Sequence, residues 1–200
     1  MEGPMVTNGR WGWCRRAVVA TAAVIGALAV SGSELRGQHL EVPVHDPVMI
    51  PQGDTYYLYT TGRGISAWSS TDMVNWERLP SVHTSSPAWT EQVVPGFSER
   101  NHMWAPDITE RDGTYYLFYS VSAFGQNTSA IGVAMNRTLD PDDPNYRWED
   151  GGIVIRSIPG RDLWNAIDPN VSFADDGTPW LVFRSFWTGL KLVKVDPRMA

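Results

Sequence analysis

From residue 53 onward the chain alternates short apolar runs with turn pairs, and the spacing follows strands, not helices. Three runs read Gly53-Asp-Thr-Tyr-Tyr-Leu-Tyr-Thr-Thr61, Asp112-Gly-Thr-Tyr-Tyr-Leu-Phe-Tyr-Ser120 and Asp176-Gly-Thr-Pro-Trp-Leu-Val-Phe-Arg184. Each opens on a Gly–Asp or Asp–Gly pair and continues into aromatic and β-branched residues, the signature of a hairpin entering its second strand. A further strand follows in each unit, over Ile65–Ser70, Ile131–Met135 and Leu190–Val195, and Trp76 and Trp148 mark the close of two units. Leu58, Leu117 and Leu181 are spaced by 59 and 64 residues, near the period of a propeller blade. No amphipathic helix of useful length is expected beyond residue 36, so the pattern predicts an all-β propeller of four-stranded blades.

The first 36 residues follow a different rule. Arg10, Arg15 and Arg16 precede an uncharged apolar run, Ala17 to Val30, which ends on the small residues Ser31, Gly32 and Ser33. This is the layout of a signal peptide, and 14 apolar residues fall short of the roughly 20 that span a bilayer. Export is therefore expected, with residues 37–200 as the mature part and no stable membrane anchor. The pair Arg15-Arg16 also suits a twin-arginine signal. The single cysteine, Cys14, falls in this leader, so the mature part has no disulfide.

Composition sharpens the picture. Hydrophobic residues at 42% and charged ones at 19% are those of an ordinary globular chain, but ten Trp and seven Tyr suit either a β-rich core or a surface that stacks on sugar faces. Without the leader, 12 basic side chains stand against 20 acidic, a net charge of −8, which excludes nucleic acid as a natural partner.

The acids carry the candidate chemistry. Asp46, Asp107 and Asp168 are separated by 61 residues each and all lie beside proline, in His45-Asp46-Pro47, Pro106-Asp107-Ile108 and Ile167-Asp168-Pro169. Equal spacing predicts equivalent positions at the entry of each blade's innermost strand, with three carboxyl groups converging at one mouth of the central channel. Asp-Pro alone is ordinary turn chemistry, as in Asp140-Pro141 and Asp143-Pro144; the period is what sets these apart.

Seven segments stand out: Val44-His-Asp-Pro47, Met103-Trp-Ala-Pro-Asp-Ile108, Tyr119-Ser-Val-Ser-Ala-Phe-Gly125, Asn127-Thr-Ser-Ala-Ile-Gly132, Gly152-Ile-Val-Ile-Arg-Ser157, Asn165-Ala-Ile-Asp-Pro-Asn-Val171 and Ser185-Phe-Trp-Thr-Gly189. In this order they resemble glycoside hydrolase family 43, most closely its endo-1,5-α-L-arabinanases. The resemblance implies a five-bladed propeller that hydrolyses internal links of arabinan with inversion, using an Asp base, a Glu acid and a second Asp that raises the acid's pKa. Asp46 matches the base and Asp168 the modulator. Asp107 matches no catalytic carboxylate of the family and is expected to hold the Trp104 loop. Trp104 and Phe124 match aromatics of the arabinan cleft, with a place in the core as the alternative. Asn165 and Ser185 match polar residues near the cleaved sugar. His45 has no second ligand at metal spacing, and His39, His83 and His102 are expected on the surface or in loops.

The resemblance implies no cofactor for the chemistry. A calcium or sodium ion near the axis would take its protein ligand, a late-blade His, from beyond residue 200. Five units of about 61 residues need about 305, whereas residues 40–200 supply about 2.6 units. The acid Glu is expected near position 229, so these 200 residues by themselves are expected to lack a proton donor and hydrolytic activity. Two alternatives remain: an exo-acting arabinofuranosidase or xylosidase of the same family, and a truncated propeller that binds arabinan without cleaving it.

Overall fold

The structure, a computed structural model, describes residues 42–185 and 187–196, without the side chain of Ser185. The leader, Cys14 and His39 lie outside the described residues. β1 (Val48–Gln52), β2 (Thr55–Thr60), β4 (Ser66–Ser70) and β5 (Glu77–Leu79) form the first antiparallel sheet, and the two-residue β3 (Gly62–Arg63), between β2 and β4 in the chain, pairs outside it. Helices α1 (Ala88–Val93) and α2 (Phe97–Arg100) intervene. The second sheet then runs through β6 (His102–Arg111), β7 (Thr114–Ser122), β8 (Ser129–Asn136) and β9 (Glu149–Ser157), with β3 on its edge. β10 (Ile167–Phe173), β11 (Pro179–Ser185) and β12 (Gly189–Lys194) make the third. Each sheet is an up-and-down meander, the connectivity of a propeller blade.

The hairpin turns fall where the Asp–Gly signals place them. At the tip of β6–β7, Asp112 has φ 52° and Gly113 φ 71°, the two left-handed residues a tight hairpin needs. β7 shows why its sequence is apolar almost without alternation. Leu117, Tyr119 and Val121 pack toward blade one, against Tyr57, Tyr59, Ile65 and Ala67. Phe118, on the other face, joins Ile131 and Val133 in a second cluster with Leu181 and Phe183 of blade three. A strand buried on both faces has no polar side to show.

The two helices were not expected. At six and four residues they are too short to display a 3.6-residue period. They are held by what they cover: Val93, Val94 and Phe97 are buried in the first cluster, and Trp89 stacks on Tyr119 with centroids 6.3 Å apart.

Candidate active site

Asp46, Asp168, Trp104, Phe124 and Asn165 all line one cavity of about 820 Å³ where the blades' inner ends meet. Asp46 precedes β1 and Asp168 is the second residue of β10. Both have left-handed backbones, φ 50° and 53°. The ladder slips between Ile167 and Asn170, and this bulge lifts Asp168 out of pairing.

The matching kink in blade two is not at Asp107. It lies at Ala105, φ 42°, before Pro106 and inside the slip between Trp104 and Asp107. The pairing settles the equivalence: His45 accepts from Thr61 N–H, Trp104 faces Ser120 and Ile167 faces Arg184, and the residue after each of the three is the left-handed one. Among the described residues two carboxylates reach the cavity, not three, and the 61-residue spacing of Asp107 does not reflect a shared position. Asp107 is structural, but it does not hold the Trp104 loop. It accepts from Val171 N–H at 2.7 Å and Asn170 Nδ2 at 3.4 Å, tying blade two to blade three, and burial raises its pKa.

The electrostatics differ between the two site carboxylates. Asp46 Oδ2 lies 2.7 Å from His45 Nδ1 and accepts the Thr61 hydroxyl, also at 2.7 Å. Asp168 has its pKa raised by desolvation, opposed by the Arg184 guanidinium whose Nε stands 3.6 Å from Oδ2, with Asp46 pushing it further up. Asp168 therefore senses the charge of Asp46 across the cavity.

The aromatics are placed unequally. Phe124 is 96% exposed, which removes the alternative of a core residue; its ring is open on the loop after β7. Trp104 is half-buried and donates from Nε1 to His102 Nδ1 at 3.0 Å, so its ring is held edge-on by a neighbour. Asn165 is buried, and its amide is engaged on both sides: Oδ1 accepts from Ser129 at 3.0 Å and Nδ2 donates to the Gln126 carbonyl at 3.5 Å. Ser185 closes β11, but its side chain lies outside the described residues.

Among the cavity residues that the sequence reading did not name as site residues are Thr61, His102, Arg184 and Trp187. Thr61 and Arg184 owe their place to cross-hairpin register, which no local motif displays. Trp187 was legible in principle, as an aromatic in the β11–β12 turn at the same end as the Phe124 loop. His83, expected on the surface or in a loop, lies in the loop between β5 and α1 but is buried there, in edge-to-face contact with Tyr119, centroids 4.9 Å apart. Among the described residues no three His, Cys, Asp or Glu side chains converge to hold a metal ion.

Comparison with known proteins bears on this arrangement. A family model described as glycosyl hydrolases family 43 matches residues 40–200. An extracellular exo-α-(1→5)-L-arabinofuranosidase of Cellvibrio japonicus is 53% identical over 86% of this chain and 49% of its own length. An extracellular endo-α-(1→5)-L-arabinanase of Bacillus subtilis is 40% identical over 90% of this chain and 54% of its own. Among solved structures, a Cellvibrio cellulosa α-L-arabinanase complexed with arabinohexaose superimposes with a TM-score of 0.76 at 54% identity, covering 78% of this chain and 49% of that one. The chain thus spans about half the length of these relatives and forms the first blades of a five-bladed propeller. With paired carboxylates at the inner ends of its blades and a family model matched from residue 40 to its last residue, the chain belongs to glycosyl hydrolases family 43.

Proposed function

We propose that this chain carries the general base and the modulating carboxylate of an inverting hydrolase that cuts internal α-1,5 links of arabinan. The observation that supports it best is the pairing of Asp46 and Asp168 on equivalent left-handed kinks, facing one cavity beside the open ring of Phe124. Asp46 takes a proton from the attacking water, and a carboxylic acid opposite protonates the leaving oxygen, with about 6.5–9.5 Å between them. Asp168 is a negative charge near that acid and holds it protonated by like-charge repulsion. No glutamate lines the cavity among the described residues, so in this reading the donor comes from outside them. Trp104 and Phe124 offer ring faces to the sugar, and Asn165, which lines the same cavity, is a polar residue beside it. Relatives named extracellular, together with the charged and apolar start, support export of residues 37–200 after removal of residues 1–36.

Exo action is the second reading, favoured by the 53% identity to an exo-acting relative against 40% to the endo-acting one. Product analysis on debranched arabinan separates them: internal cutting lowers viscosity early and releases a ladder of oligosaccharides, whereas exo action releases one short product. In a polypeptide extended to the full length of the relatives, Asp46→Asn lowers kcat by about 10²–10⁴ with little change in KM, since it removes water activation and leaves the sugar contacts. Wild-type turnover in that variant would refute the assignment.

A further inference from the structure

Asp46, Ala105 and Asp168 each sit at φ between 42° and 53°, and each precedes a proline. A left-handed L-residue costs about 1–2 kcal/mol, so such a kink persists only where its surroundings hold it. In blades two and three the holder is a hydroxyl of the preceding blade. Ala105 N–H donates to Thr61 Oγ1 at 2.8 Å, and Asp168 N–H donates to Ser120 Oγ at 2.9 Å. Thr61 and Ser120 occupy the same place in the repeat, opposite His45 and Trp104 respectively.

Thr61 has a second partner, because its own blade carries an aspartate at the kink where blade two carries Ala105. While its oxygen accepts from Ala105, its proton goes to Asp46 Oδ2 at 2.7 Å. His45 Nδ1 reaches the same oxygen, also at 2.7 Å. Two partners on Oδ2 leave Oδ1 without a recorded protein partner among the described residues, and fix which oxygen is available to water. We propose that Thr61 is the positioning residue of Asp46: one hydroxyl orients the carboxylate and, through Ala105, ties that orientation to the docking of blade two. The proposal rests on Asp46 as the base, but the contact it invokes does not depend on turnover.

The test is NMR on the isotope-labelled 200-residue chain. In the wild type, three-bond couplings report a single Asp46 χ1 rotamer, the Ala105 amide is protected from exchange, and the Thr61 hydroxyl gives a hydrogen–deuterium isotope shift on the Asp46 carboxyl carbon. Thr61→Ser, which keeps the hydroxyl, retains all three. Thr61→Val loses the isotope shift, averages the Asp46 rotamer and speeds Ala105 exchange. If exchange at Ala105 rises in Thr61→Val while Asp46 stays in one rotamer, Thr61 is a blade clasp only and the proposal is overturned. Should the valine variant not fold, the unsubstituted chain decides: absence of the isotope shift overturns it equally. A polypeptide extended to the full length of the relatives that never cleaves arabinan would refute the proposed reaction and leave these readouts intact.

Discussion

Asp168 is pulled in opposite directions by its neighbours. Burial raises its pKa and Asp46 adds to the rise, while Arg184 favours the ionised form across 3.6 Å. Arg184 is 58% exposed, so water screens the pair and its effect is modest. Arg184→Gln is accordingly expected to move the Asp168 titration upward, read as the carboxyl carbon shift against pH; an unchanged or lower midpoint would show that the guanidinium does not act on it. The family-like segments around Asp46 and Asp168 were enough to single out both residues, and the structure brings the two to one cavity. Local sequence was blind to Arg184 and Thr61, whose partners lie 16 and 15 residues away across a hairpin.

Among the elements, hairpins were the most legible, because Asp112-Gly113 and its counterparts state their turn in two residues. Bulges were not legible. One slip in β6 moves the kink to Ala105, and the 61-residue spacing of Asp107 then points at the wrong residue. What Asp107 does instead is bridge β6 to β10 through the Val171 amide. Asp107→Ala leaves that donor without its acceptor and is expected to destabilise the fold by about 1–3 kcal/mol. Asp107→Asn keeps an acceptor and removes a charge that burial penalises, so it should cost less. Denaturant midpoints for the two variants check the order, and equal losses would mean that the charge, not the acceptor, matters.

Across the whole molecule, neighbouring blades are joined by apolar faces and also by a small polar knot at the first interface. Gly64 N–H donates to the Asn101 carbonyl, His83 N–H to the Gly64 carbonyl, and Asn101 Nδ2 to the His83 carbonyl. Gly64, at φ 64°, admits no side chain: a Cβ there would fall 1.8 Å from the His83 carbonyl oxygen. This packing carries the His83 ring into the core against Tyr119, where desolvation pushes its pKa down to about 4, with Asp150 opposing. The consequence is a pH dependence of the fold itself. Between the ordinary histidine pKa of about 6.5 and the folded value of about 4, the unfolded chain binds a proton that the folded chain refuses. Stability supplied by the neutral ring is therefore full above about 6.5 and declines as pH falls through that window, by up to about 3 kcal/mol. His83→Gln cannot take up that proton in either state, so its unfolding free energy should follow a shallower slope over the same range, even if the variant is less stable throughout. Denaturant unfolding of both proteins at intervals from pH 4 to 7 measures the two slopes, and parallel curves would place the acid sensitivity of this blade interface in the carboxylates and not in His83.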